Sequence, residues 1–501
     1  MRLKFSCLIL MIGILLFQGC QSVPSEEIPV DNIPLFTATP APVSLDLSNS
    51  GLSDADLSGL EDQQQLLSLD LRGNDLSPDA VIALSEKLPS CSIVWSIPVG
   101  MQRFDSTSRS ISVSEDVSPS DLEALLLFPN LISADLTRCR DTSAVLSIAD
   151  RLPNVAVAFS VTVLGTQYPS DTQALNLSDA DISDYPLLVS QLQQFPSLKE
   201  VDLSGHQFSE SERNLFTESC PDVFFLWQFD LLGKTVSSDQ AEIDLSGKKI
   251  SDPSAISNAL RHLPRLEKLD LCNTGLTDAQ MEALSVSYPA VKFVWIIHVG
   301  GWQMRTDVKA FSKGNRRSFE GGKFLGGKTN FDNETIEPLK YCTDLIALDL
   351  GHGNRITDLS ILQYFPKLRF LIVAMNDITD LSPLAYCPEL EYVETFQNDI
   401  SDWTPFLSLP KLTHLNCSTN YGKDSAGNKA YPDYHILMKI PTLERLWIIR
   451  CGLSESEISE LQAALPNCVI CNKGSDSTDN GWRDNPKYRE MQDLFNLPYS
   501  K

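Results

Sequence analysis

Six histidines, His206, His262, His298, His352, His414 and His435, are the residues that could move protons near neutral pH. They are scattered along the chain, and no H-E-x-x-H, G-x-S-x-G or comparable local signature surrounds any of them. One general acid/base pair is conceivable, His414 with Glu394, if those positions fall on adjacent strands. A ligand-binding surface accounts for both residues as well, so no catalytic residue is assigned and no enzyme is expected, an envelope hydrolase being the remote alternative. Cys468-Val469-Ile470-Cys471 has the spacing of half a zinc site, but no second pair or suitably placed histidine completes it. A local disulfide among Cys451, Cys468 and Cys471 is left open. Recurring aspartates suggest a calcium ladder. However, only Asp46/Asp70 and Asp244/Asp270 are adjacent in the pattern, and calcium takes about six to eight oxygens. No metal and no cofactor are expected.

A basic, glycine-rich segment stands out against an acidic chain. Arg305, Lys309, Lys313, Arg316, Arg317, Lys323 and Lys328 are interspersed with Gly314, Gly321, Gly322, Gly326 and Gly327, while the whole chain carries a formal net charge of −25. The segment is a candidate contact for an anionic polymer or an acidic partner, or else an excursion that packs on the protein's own acid. G-G-K here follows no strand-to-helix phosphate motif. The overall charge argues against nucleic acid and against lying flat on anionic lipid.

The elements that must position these residues repeat. Centred on apolar-x-apolar triplets, the middle residues fall at Asp46, Asp70, Val94, Ser112, Asp135, Ala158, Asn176, Asp202, Leu226, Asp244, Asp270 and Val294, with gaps of 24, 24, 18, 23, 23, 18, 26, 24, 18, 26 and 24. Four blocks therefore recur every 64 to 68 residues, the signature of coils stacked on copies of themselves. Within a coil a short strand and a tight turn precede an apolar stretch of helical spacing that ends in proline. Every third coil carries a longer β-rich stretch, such as Ile93 to Gly100 or Phe293 to Gly300, and the 18-residue step after it is too short for a strand plus helix. It is read as a hairpin or a helix-free coil.

Leu66 to Leu76 matches the signature L-x-x-L-x-L-x-x-N/C-x-L and resembles the leucine-rich repeat family. Frames at Leu345, Leu368, Leu390 and Leu412, with Asn354, Asn376 and Asn398 between them, are similar to internalin-type repeats of bacterial surface proteins. The resemblance implies an α/β solenoid, with a parallel sheet on the concave side and short helices and irregular turns on the convex side; the first half departs from that pattern, with hairpin-like elaborations in every third coil. The resemblance also implies that residues between the inward leucines project from the sheet in strips. Phe370, Tyr392, His414 and Arg445 form one column, and Asp349, Ile372, Glu394, Asn416 and Trp447 the next. Gly351, Ala374, Phe396, Ser418 and Ile449 form a third, and His352, Met375, Gln397, Thr419 and Arg450 a fourth. Aromatic anchors ringed by polar groups suit a protein or carbohydrate ligand, unless an appended segment or a neighbouring molecule covers them. On the ligand reading, Tyr392→Ala and Trp447→Ala weaken capture with little loss of stability.

The ends complete the plan. Arg2 and Lys4 precede an apolar run, Cys7 to Phe17, too short to span a bilayer, and Leu16-Phe17-Gln18-Gly19-Cys20 resembles a lipobox whose cysteine is acylated. Residues 1–20 are read as a lipoprotein signal and 21–42 as a proline-rich spacer. Residues 43–299 and 341–471 are the two repeat regions. Between them the repeat breaks for 55 residues, from Val294 to Asp349, around an insertion at 300–340. Residues 472–501 are a polar linker and a helix, Lys487 to Phe495, expected to cap the solenoid or to dock another domain. The sum is an exported protein, anchored to the cell membrane only through its lipid, that binds a protein or carbohydrate ligand on its concave face. The alternative is a structural or assembly component of the envelope.

Overall fold

The computed structural model describes residues 43–423 and 426–497. The signal, Cys20 and the spacer lie outside the described residues. Two compact units divide after Trp227.

In the first unit, three-stranded parallel sheets follow the sequence pattern. Ser44–Asp46 pairs with Ser68–Leu71, which pairs with Ser92–Val99, in a register that sets Asp46 beside Asp70 beside Val94. Ser110–Ser112, Ser133–Asp135 and Ala156–Ala158 repeat this, as do Ala174–Asn176, Glu200–Asp202 and Phe224–Leu226. Alternate residues such as Leu69, Ala134 and Val201 are fully or almost fully buried, which is what a strand with one face on the coil interior requires. Ten-residue helices such as Pro78–Lys87 and Thr142–Arg151 return the chain on the other side. Ser77 and Asp141 start them by accepting the amides of Ala80 and Ala144.

The 18-residue step is a hairpin. Ser92–Val99 turns back antiparallel on Gln102–Asp105, and Ser160–Val163 on Thr166–Pro169. The same device occurs in the second unit, with Gln228–Leu231 against Lys234–Ser237 and Ile296–Val299 against Trp302–Arg305. Leu164-Gly165 and Leu232-Gly233 are left-handed at both positions of two-residue turns, the geometry that matches the strands' own twist.

In the second unit, Glu242–Asp244, Lys268–Asp270 and Lys292–Val294 form another three-stranded set. A seven-stranded parallel sheet follows, from Ala310–Ser312 through Ala347–Asp349, Phe370–Ile372, Tyr392–Glu394, His414–Asn416 and Arg445–Trp447 to Val469–Cys471. Coils of 22 and 23 residues leave room only for five-residue 3-10 helices, Ser360–Tyr364, Ser382–Tyr386 and Thr404–Ser408. Asp358, Asp380 and Asp402 each open one by accepting the amide two residues on.

The interval 300–340 is therefore not a break in the repeat. Trp302–Arg305 completes the fourth hairpin, and Ala310–Ser312 is a coil strand whose Phe311 pairs with Leu348. From Val294 to Ser312 is 312 − 294 = 18 residues, the step already seen three times upstream. The true excursion is a short antiparallel addition, Ser318–Phe319 and Gly322–Phe324, on the fourth hairpin.

Asparagines tie successive coils together. Asn376 donates to the carbonyls of Leu350 in the previous coil and Val373 in its own, both at 3.1 Å, and accepts the Ile356 amide at 3.2 Å. Asn398 and Asn420 repeat this, so carbonyls sealed from water keep partners. The recurring aspartates close the strand instead. Asp46, Asp70, Asp135, Asp202, Asp244, Asp270 and Asp349 each accept the amide two residues ahead, and Asn176 does the same.

Candidate functional site: the aromatic concave face and the segment on it

The columns expected from the sequence exist in the expected register. Phe370, Tyr392, His414 and Arg445 are successive partners across the sheet, and so are Asp349, Ile372, Glu394, Asn416 and Trp447. They do not face solvent. Phe370 and Tyr392 are 0% exposed and Trp447 is 1% exposed, because residues 475–497 lie across them.

That segment seats itself in steps. Ser477 offers its carbonyl to Asn416 at 2.8 Å, and Asp479 offers its carbonyl to the Trp447 indole at 2.8 Å. Trp482, wholly buried, packs 5.2 Å from both the Tyr392 and Trp447 rings and donates its indole N–H to Glu394 Oε1 at 2.7 Å. Arg445 donates to the Gly481 carbonyl at 2.6 Å. Asn485 then caps the helix Pro486–Leu494 by accepting the Tyr488 amide. The helix lays Met491 on the apolar cluster of Phe370, Ile372, Ala374 and Phe396, with Phe495 just beyond its end. At the rim, Lys487 pairs with Glu391, and Arg369 bridges Glu391 at 2.7 Å and Glu490 at 2.8 Å. The sequence leaves this helix either to cap the solenoid or to dock another domain. The helix closes the concave face, since that is where the unpartnered aromatics are.

Sealing changes the chemistry beneath. Burial pushes the Glu394 carboxyl above its ordinary range, and Tyr392 and Trp482 both donate to the same oxygen, Oε1. Glu394 Oε2 is left without a hydrogen bond. Burial, with Arg445 nearby, lowers His414 to about 4, and its Nδ1 lies 2.9 Å from the Thr413 hydroxyl rather than on Glu394. The expected acid/base pair is thus two separately buried groups under an indole, and no substrate reaches them while the segment is seated.

The fourth column is also corrected. His352, Met375, Gln397, Thr419 and Arg450 all have left-handed backbones, φ of 69°, 57°, 54°, 55° and 60°, and form the turn after the strand rather than a strip of sheet. Met375 stays exposed, and Arg450 donates to the Ser475 carbonyl at 2.7 Å.

The basic segment divides. Arg305 binds Asp270 at 2.6 Å and Asp307 at 2.8 Å, and Lys328 binds Asp332 at 2.9 Å. Lys313 is buried at the start of the asparagine ladder, donating to the His352 carbonyl at 3.0 Å and to Asn354, and burial lowers its pKa. Lys309, Arg316, Arg317 and Lys323 remain exposed. A cleft of about 820 Å³ lies between this region and the C-terminal helix, lined by Arg305 and Lys309 but also by Asp307, Glu320, Glu490 and Asp493.

The ten cysteines of the described residues are free thiols. Cys342, Cys387, Cys417 and Cys451 are packed in the coil, where burial raises their pKa.

Neither a family model nor a curated protein matches this sequence. Among solved structures, an internalin from Listeria monocytogenes aligns over 83% of this chain and 83% of its own at 16% identity, with a TM-score of 0.26. The chain is similar to leucine-rich repeat proteins. A leucine-rich repeat protein of Leptospira interrogans aligns over 85% of this chain and 95% of its own, at 14% identity and a TM-score of 0.25. The leucine-rich ectodomain of an Arabidopsis thaliana receptor kinase, in complex with Casparian strip integrity factor 2, aligns over 78% and 37%, at 15% identity and a TM-score of 0.22. The architecture rests on the strand register above and not on these alignments, and the factor bound in the last belongs to that receptor.

Proposed function

We propose that the protein is a non-catalytic recognition module, exported and held at the membrane by a lipid on Cys20, that captures a basic protein partner on the open concave columns of residues 43–227. The supporting observation is the character of those columns. Ser44, Ser68 and Ser92, Asp46 and Asp70, Ser110, Ser133 and Ala156, and Ser112 and Asp135 are all exposed or half-buried. Residues 43–227 contain 27 Asp and Glu against 9 Lys and Arg, a net of −18 out of the chain's −25. Small side chains leave the sheet accessible, and the excess of one sign steers oppositely charged partners. The aromatic face, which suits a protein or carbohydrate ligand, already has an occupant, and the charge of the open columns favours a protein.

The test uses the chain from residue 21 onward, wild type and with Asp70→Lys and Asp135→Lys together, in pull-downs from envelope extract at low and high salt. A captured protein should disappear with the charge reversal and with salt; capture indifferent to both sinks the assignment of the face. Sedimentation of the chain alone as a large oligomer would favour the assembly component instead. Cys20→Ser should release the protein from membranes.

A further inference from the structure

Three features mark the contact between residues 475–497 and the sheet. It is threaded with polar bonds, to Asn416, Trp447, Arg445, Glu394 and Glu391 on the sheet side. It is imperfectly satisfied, since Glu394 Oε2, Arg445 Nε and Arg483 Nε all lack hydrogen-bond partners within it. A buried polar atom without a partner is destabilising, so this contact is weaker than its apolar area alone would make it. Finally, the segment follows the last strand, Val469–Cys471, after only a few residues, so it is delivered to the face by a short tether.

Aromatic anchors at the centre, charged pairs at the rim and a helix lying in a groove are the makeup of a peptide-recognition site. We propose that the concave face of residues 310–471 is such a site, that residues 475–497 are its resident occupant, and that a partner segment of the same chemistry displaces them. That chemistry is an amphipathic, aromatic peptide carrying both signs of charge, as residues 475–497 do with five Asp and Glu against three Lys and Arg. It has an indole to donate to Glu394, a lysine for Glu391 at the start of a helical turn, and apolar side chains where Met491 and Phe495 sit. This site is separate from the acidic columns of residues 43–227, and its failure leaves that assignment standing.

The short tether holds the resident segment at an effective concentration on the order of millimolar, so an external peptide competes poorly until the seat is weakened. The probe is a fluorescent synthetic peptide of residues 475–497, with a Lys487→Glu version as control. Full-length protein carrying Trp482→Ala and Phe495→Ala should bind it about tenfold or more tighter than wild type does, and the Lys487→Glu peptide should bind about tenfold weaker than the native one. A folded double variant that ignores the peptide, or that binds both versions equally, overturns the proposal. Hydrogen exchange on the wild-type chain decides independently of the variant's folding. Amides of Pro486–Leu494 should exchange through a local opening that leaves Phe370–Ile372 and Tyr392–Glu394 protected. Exchange of all three only together would make the segment part of the core and refute displacement.

Discussion

The outward sheet faces of residues 43–227 and of residues 310–471 share inward leucines and differ at most outward positions, Val94, Phe224 and Leu226 being the large apolar ones of the first region. Leu69 and Leu371 both fill coil interiors at 0% exposure. One residue before each, the first sheet presents Ser68 to solvent and the second presents Phe370 to Met491 and Phe495. The repeat specifies the coil and leaves the outward positions free, so outward chemistry reports what lies on the face. Serine and aspartate mark an open sheet. A run of Phe, Tyr, Ile and Trp marks a covered one, because exposed apolar strips of that size rarely stay without a partner.

The shared interior is the first thing to break. Leu69→Asp and Leu371→Asp should both be severe, several kcal/mol each, because a lone carboxylate is forced into a leucine layer. Urea unfolding and soluble yield would show it. If Leu371→Asp were severe and Leu69→Asp mild, the two regions would not share a frame.

The outward positions should then separate the regions. Tyr392→Ala removes a wholly buried ring that touches Trp482 and a hydrogen bond to Glu394, and should cost about 3–5 kcal/mol, as large-to-small core changes do. Ser68→Ala, at the matching place in an open strand, should stay within about 0.5 kcal/mol. Hydrogen exchange should place the Tyr392→Ala damage in strands 370–416. This reverses what the exposed-strip reading implies for Tyr392, since the side chain holds the fold's own segment.

Acid should sharpen the contrast. His414 has a folded pKa of about 4 against an ordinary 6.5, so the unfolded chain takes up the proton first as pH falls. Its contribution is whole above 6.5 and is lost between 6.5 and 4. Glu394 is shifted up, so its contribution is present below its ordinary value and is lost as pH rises through the folded one. The two oppose each other in the covered region. Stability of Glu394→Gln should therefore rise with pH between 4 and 6.5, and adding His414→Gln should flatten that rise. Equal slopes in the two variants would mean His414 is not held neutral under the segment.

The coil frame, the strand register and the first three columns are legible in the sequence because inward leucines and asparagines recur at fixed intervals, and each has one physical job. The helix Lys487 to Phe495 is legible, and an appended cover is one alternative for the aromatic strip, but the docking of one on the other is not legible, because Trp482, Lys487, Met491 and Phe495 lie outside the repeat and have no interval to betray them. The signal available was indirect. Phe370, Tyr392, Phe396 and Trp447 outnumber what an idle surface carries, and residues 472–501, read as a polar linker and a helix, hold apolar anchors outside the repeat. The fourth column was misplaced for a different reason. A strand and the turn that ends it run on without a break in spacing, and only the left-handed backbone at His352 through Arg450 separates them.

The smallest difference between the regions should appear at the aspartate that closes the strand. In the open sheet, Asp135 accepts the Thr137 amide at 3.1 Å and its hydroxyl at 2.7 Å, and these bonds hold its carboxyl below the usual range. In the covered sheet, Asp349 is 6% exposed and binds the Gly351 amide at 2.9 Å and the Ser312 hydroxyl at 2.6 Å. Replacing Asp135 with alanine leaves its donors to water and should cost about 1 kcal/mol; replacing Asp349 strands buried donors and should cost about 1–3 kcal/mol. Asp135→Asn should be nearly neutral at pH 7, because Asn176 already makes the same turn with Ser178. Urea midpoints of the three variants check the order. Equal losses at Asp135 and Asp349 would mean that the segment seated over residues 310–471 does not keep water from the strand ends, and that the cover is looser than its aromatic centre.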